Sequence, residues 1–253
     1  METSNTTTDV QGRAIVVGGS AGIGAALVER LAAEGWRVAA VARSESRLAA
    51  VMKKCPEGRV LAYAHDVRNL ETTRALFDRI VAELGGLDMI QYTAGVMPYV
   101  REDEYNTIKD KEIIDVNVTG AAAWLNCAGA LFERQRKGQI VGISSIAGDR
   151  GRRGNPGYHA SKAWLDAFLE SLRNRLARHN VSVVTIKPGY IDTEMTAGRP
   201  KLFWMISADE CARRILNACR QKVNIRYVPM RWFWIGFIIK RVPSFIMTRF
   251  GPP

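Results

Sequence analysis

The chain has 253 residues, a size that one hydrophobic core can hold and that α/β folds often use as a single domain. Hydrophobic residues at 47% and charged residues at 24% exclude a disordered or fibrous chain. The net charge of +11 is uneven: from Cys211 to the end there are nine Lys or Arg and no Asp or Glu, which leaves the preceding residues near +2.

The start, Met1 to Gln11, is polar and lacks the apolar stretch of a secretory signal, so the expected compartment is the cytoplasm. After it, short apolar runs rich in β-branched residues alternate with amphipathic stretches, the pattern of βαβ units around a parallel sheet. The runs predict strands at 13–18, 37–42, 59–64, 87–92, 139–144, 181–187 and 224–228. Helices are predicted near 22–34, 44–54, 70–84, 103–136, 157–179 and 208–221, with Gly35 and Gly85 just past the ends of two of them. The implied fold is α/β, a doubly wound seven-stranded parallel sheet with helices on both faces, in one domain without internal repeats. Ligands of such sheets bind at the carboxyl ends of the strands, where the strand order reverses.

The first strand runs into Gly18-Gly19-Ser20-Ala21-Gly22-Ile23-Gly24, a glycine-rich turn that opens a helix. Backbone free of side chains can approach a pyrophosphate, and the N–H groups of a helix start favour its charge. The second strand ends without the acidic residue that would bind a ribose 2′-hydroxyl, and Arg43 follows at once. A cation there suits the extra phosphate of NADP(H), although a solvated surface arginine is the plainer reading. After the third strand, Asp66 could accept from the adenine amino group or cap the following helix.

Tyr158-His159-Ala160-Ser161-Lys162 sets a phenol and an ammonium four residues apart, hence on one face of a predicted helix. A nearby cation favours the phenolate, which suits a general acid or base. Upstream, the strand over 139–143 ends at Ser144-Ser145, so a hydroxyl stands at the sheet edge and can donate to a carbonyl as negative charge builds. Ser144 is expected to satisfy local backbone. Cys55, Cys127, Cys211 and Cys219 contain no C-x-x-C pair, His65, His159 and His179 have no ligand spacing, and no metal is expected.

Taken together, the glycine turn, Asp66-Val67, Ala94-Gly95, Asn117, Ser145, Tyr158, Lys162 and Pro188-Gly189-Tyr190-Ile191-Asp192-Thr193 follow a known order and spacing. Over roughly residues 12–230 the chain resembles the classical short-chain dehydrogenase/reductase (SDR) family. The resemblance implies a Rossmann-type fold and an NADP(H)-dependent oxidoreductase interconverting a carbonyl and an alcohol. It makes Tyr158 the proton donor in reduction, Ser145 the group that orients the carbonyl, and Lys162 the residue that holds the nicotinamide ribose and tunes Tyr158. Asn117 would kink its helix and hold a water in a proton relay to Lys162. Ser20, Ile23, Val67, Ala94, Gly95, Pro188 and Gly189 would lie along the cofactor, with Ile191 and Thr193 at the nicotinamide carboxamide. Two departures bear on local bracing: Val17 stands where the family has Thr or Ser, and Tyr92-Thr93 replaces Asn-Asn. A non-catalytic NADPH-binding regulator or scaffold would be expected to have lost Tyr158 or Lys162, and both are present.

Where the family carries a substrate lid, Lys201 to Ile206 are mostly apolar, which fits either a lipophilic substrate or ordinary packing. Arg231 to Lys240-Arg241 then sets eight uncharged, mostly apolar residues between basic ends. That is too short for a membrane span, which needs about 20 residues. The 230–253 extension is expected to be a peripheral anchor on anionic membrane, a subunit contact of a homodimer or homotetramer, or a flap over the pocket. No nucleic-acid recognition motif accompanies the charge.

Overall fold

The apolar run Ala14-Ile15-Val16-Val17 is wholly buried, as expected of a strand sandwiched between helices. A computed structural model of the protein describes residues 10–198 and 202–250. In chain order the elements are β1 (Arg13–Val17), α1 (Gly22–Ala33), β2 (Arg37–Ala42), α2 (Glu45–Met52), β3 (Val60–Ala64), α3 (Leu70–Leu84), β4 (Met89–Tyr92), α4 (Thr107–Ile113), α5 (Ala121–Gln135), β5 (Gly138–Ile143), α6 (Pro156–Leu176) and β6 (Val181–Pro188). They continue as β7 (Ile191–Asp192), β8 (Ile206–Ser207), α7 (Ala208–Arg220), β9 (Ile225–Val228), α8 (Trp232–Arg241) and α9 (Ser244–Phe250). Seven strands form one parallel sheet in the order β3-β2-β1-β4-β5-β6-β9. The order reverses between β1 and β4, which puts the glycine turn after β1 beside Ala94-Gly95 after β4.

Two apolar layers cover the sheet. Leu27 and Leu31 of α1, Leu48 of α2 and Ile215 of α7 pack on one face. Phe77 of α3, Trp124 and Phe132 of α5, and Leu165, Leu169 and Leu172 of α6 pack on the other. This is the doubly wound single-domain architecture that the alternation of elements predicts.

Three differences from the sequence reading have local causes. The helix predicted over 103–136 starts only at Thr107, because the Asn106 side chain caps it by accepting from the Lys109 N–H at 3.1 Å. A π-helical turn, Ile114–Gly120, then separates α4 from α5. The tail, in which no helix was predicted, forms α8 and α9. The polar start over 1–9 and Lys201 of the lid fall outside the described residues.

Candidate active site

The turn after β1 is fixed by backbone. Gly18 and Gly19 N–H donate to Val41 O of β2 at 2.7 and 3.2 Å. Gly18 is left-handed at φ +91°, and a Cβ on Gly24 would stand 2.1 Å from Gly18 O, so neither position tolerates a side chain. Gly22 faces Thr193, whose Cγ2 would lie 3.1 Å from an added Cβ. The Pro188–Thr193 segment after β6 therefore closes over the start of α1, where Ser20 and Ile23 also lie. An Arg47–Glu194 ion pair at 2.7 Å links α2 to the same segment. The result is a cradle of bare backbone at a helix N-terminus, the form that suits a pyrophosphate.

Arg43 emerges exposed from the end of β2. Asp66 lies near enough to feel its charge, but its carboxylate is gripped by Arg68. That guanidinium donates at 2.5 to 3.0 Å, and the Arg68 N–H adds a bond at 3.0 Å. Arg68 first, and Arg43 to a smaller extent, hold the Asp66 carboxyl below the usual carboxylate range. The cap of α3 is Asn69 and not Asp66. Val67 packs inward against Gly120 of the π-turn.

Ala94 and Gly95 leave β4 directly over the catalytic candidates. Thr93 and Ala94 N–H and the Thr93 hydroxyl all donate to Val17 O, at 2.8, 2.9 and 2.8 Å. The Tyr92 hydroxyl donates to Val116 O in the π-turn at 2.6 Å. The bracing left in question by Val17 and Tyr92-Thr93 is thus supplied by different groups. An added Cβ on Gly95 would lie 3.4 Å from Asn117 Oδ1 and 3.7 Å from Lys162 Nζ.

Asn117 sits in the middle of the π-turn, nearly inaccessible. π-Turns are commonly found at functional sites. Its Oδ1 accepts from Val96 N–H at 2.8 Å, and its Nδ2 donates to Val96 O at 3.0 Å and Ser161 Oγ at 3.1 Å. Ser161 in turn donates to Tyr158 O at 2.8 Å. Lys162 Nζ is buried, donates to Ile143 O at 2.9 Å and stands 5.6 Å from the centre of the Tyr158 ring. Burial pushes the Lys162 ammonium down to about 8, with Asp166 partly opposing.

Ser145 follows β5 and caps a short 3-10 turn, Ile146–Asp149, accepting from Ala147 N–H at 3.1 Å. Ser144 turns the other way and donates to Lys162 O at 3.2 Å, as local satisfaction requires. Asn155, in the left-handed region at φ +50°, starts α6: its Oδ1 accepts from Tyr158 N–H at 3.1 Å and its Nδ2 donates to Pro98 O at 2.8 Å. His159 Nδ1 meets Ala147 O at 2.8 Å and so ties the Ser145 turn to the Tyr158 turn, and burial lowers its pKa.

The sequence reading missed a buried ionic cluster behind this centre. Lys187, at the end of the apolar strand β6, pairs with Asp149 and, at 2.7 Å, with Asp166. The Asp149 side chain is wholly enclosed and also accepts from the Tyr227 hydroxyl at 2.8 Å and from Lys240 of α8 at 2.8 Å. Gly236 of α8 lies so close that a Cβ there would stand 2.4 Å from Asp149 Oδ2. Burial alone would lower Lys187, but the two carboxylates outweigh it and hold its pKa above the usual lysine value; burial raises Asp166. A lysine inside Val-Ser-Val-Val-Thr-Ile-Lys-Pro, and an Asp four residues after Lys162, were the signals available.

Trp232 of α8 packs on Gly189 and groups with Tyr190, Phe203 and Trp204, ring centres 5.2 to 5.6 Å away. The apolar segment over 202–206 is thereby joined to the tail beside the Pro188–Thr193 loop. A hollow of about 350 Å³ lined by Leu31, Trp36, Met89 and Gly138 lies at the opposite, amino-terminal edge of the sheet, and no predicted site residue borders it. Cys211 and Cys219 are buried packing residues whose thiols are pushed up to about 12 by burial.

A family model described as short chain dehydrogenase matches residues 13–201. An uncharacterized oxidoreductase of Myxococcus xanthus is 38% identical over 186 residues, covering 73% of this chain and 74% of its own length. A short-chain dehydrogenase/reductase structure from Mycobacterium ulcerans has a TM-score of 0.79 at 23% identity, covering 87% and 88% of the two chains. The structure of ElxO with NADP bound has a TM-score of 0.75 at 21% identity, covering 81% of this chain and 90% of its own.

Proposed function

The chain belongs to the short-chain dehydrogenase family, and on that premise we propose that it is an NADPH-dependent reductase of a lipophilic ketone or aldehyde, or the reverse alcohol dehydrogenase. The observation that carries this reading is the placement of Lys162 Nζ: buried, 5.6 Å from the Tyr158 ring and beside Gly95 at the switch point of the sheet. When bound, the cofactor supplies or accepts the hydride. Its phosphates would be held by the Gly18–Gly24 cradle, its extra 2′-phosphate by Arg43, and its nicotinamide end by Lys162, Ile191 and Thr193. The bare-backbone cradle and an exposed cation at the end of β2 fit such a group, and ElxO holds NADP on the same fold.

Within that frame Tyr158 gives its hydroxyl proton to the carbonyl oxygen in reduction and takes it back in oxidation. The Ser145 hydroxyl donates to the same oxygen and stabilises its developing charge. Lys162 favours the phenolate that remains. The Asn117 side-chain amide is bonded to Val96 and Ser161, which fixes the residue beside Lys162, where it would hold a relay water. The aromatic group of Tyr190, Phe203, Trp204 and Trp232 supports a lipophilic substrate.

The test is binding of NADPH against NADH by fluorescence, then oxidation of bound NADPH with a panel of hydrophobic carbonyls. Tight NADPH binding with turnover is expected. Binding without turnover on any carbonyl or alcohol would instead indicate a regulator that senses NADPH.

A further inference from the structure

Helix α8 has two faces of different character. Trp232, Gly236 and Lys240, spaced four apart, face the protein: the first two are buried and the third reaches Asp149. The opposite face presents Trp234 at 63%, Phe237 at 42% and Ile238 at 58% exposure, and in α9 Phe245 is 74% exposed. These apolar side chains are rimmed by cations. Arg241 lies 3.6 Å from the centre of the Phe237 ring, and Arg231 lies 5.0 Å from that of Trp204. Arg150 and Arg153 reach α9 through Ser244 and Thr248 at 3.1 and 2.9 Å. From Cys211 onward the chain offers no carboxylate side chain to offset them.

We propose that the outer face of α8 and α9 docks on an anionic phospholipid bilayer, lying flat with its aromatic side chains at the headgroup level. A contiguous exposed apolar patch marks an interaction surface, and aromatic side chains rimmed by cations match the interface between acyl chains and anionic headgroups. At 10 residues, α8 is about 15 Å long, far short of the bilayer core. Among the described residues no helix is long and apolar enough to cross a membrane. A second copy of the chain is the poorer partner, because a twofold contact through this face would set arginines against arginines with no acid between them. The inference is independent of the catalytic reading, because binding is measured without cofactor or substrate.

The experiment is flotation of the full-length protein with vesicles of phosphatidylcholine, with and without phosphatidylglycerol. Binding is expected only with the anionic lipid and should weaken as salt is added. The pair Trp234→Glu and Ile238→Glu, both exposed, should abolish it. If that variant fails to fold, Arg231→Gln with Arg241→Gln should weaken binding about fivefold per charge removed. No binding of the wild-type chain to anionic vesicles, or binding unchanged in the folded variants, overturns the proposal. So does size-exclusion behaviour in which Trp234→Glu converts a dimer to a monomer while vesicles remain unbound.

Discussion

The two sides of the site are built from different materials. On the cofactor side, between β1 and β4, the shape is set by main chain: glycine turns, N–H groups aimed at Val41 and Val17 carbonyls, and few side chains. On the proposed substrate side, behind Ser145 and under α8, the shape is set by side chains from distant parts of the chain, with Asp149, Asp166, Lys187 and Tyr227 forming one buried cluster that the half-exposed Lys240 reaches from α8. Backbone geometry is local and can be shared across a family, whereas a buried charge cluster works only if all members arrive together.

That contrast can be tested by substitution, starting where the two sides meet. Tyr158→Phe should lower turnover by about 10²–10⁴-fold while NADPH binding, followed by fluorescence, stays within a few-fold; retained turnover would remove the phenol from the reaction. On the substrate side, Asp149→Asn strips Lys187 and Lys240 of a shared partner and should cost about 3–5 kcal/mol of stability in urea unfolding. A loss no larger than that of a surface ion pair would mean the cluster contributes nothing that the main chain does not.

Smaller effects are expected on the cofactor side. Arg43→Asp should shift the NADPH to NADH preference by about tenfold to a hundredfold, the worth of one charged hydrogen bond, and unchanged selectivity would defeat the phosphate assignment. Tyr92→Phe leaves Val116 O in the π-turn without its hydroxyl donor and should destabilise the protein by about 1–3 kcal/mol, measurable by thermal unfolding. Last, Lys162 has a folded-state value of about 8, so its ammonium is present below that pH and lost above it. For the free enzyme kcat/KM should fall as pH rises through about 8, and a flat profile to pH 10 would show that the charge of Lys162 is not used.

Legibility in the sequence followed the same division. All seven sheet strands were readable to within two residues at either end, because buried parallel strands are continuous apolar runs. Tyr158 and Lys162 were readable because a spacing of four defines a helix face. The break at Ile114–Gly120 was not readable from periodicity, since a π-turn adds one residue without changing composition; only the family resemblance flagged Asn117 there. Asp66 was readable as a position but not as a partner of Arg68, two residues away, because side-chain direction decides that pairing. Helix α8 was legible as an apolar, basic-ended segment but not as a two-faced helix, because its inner face is defined by Gly189 and Asp149, 43 and 91 residues earlier than Trp232 and Lys240.

The sequence by itself determined the alternation of strands and helices, the glycine cradle and the phenol–ammonium pair, because each depends on residues within one or two turns of one another. Only the tertiary structure decided that Lys187, Asp149, Asp166 and Tyr227 share one buried site that Lys240 reaches from the surface, and which face of the tail remains open. Those outcomes depend on which distant segments the sheet order brings together, and on the cost of burying charge without a partner.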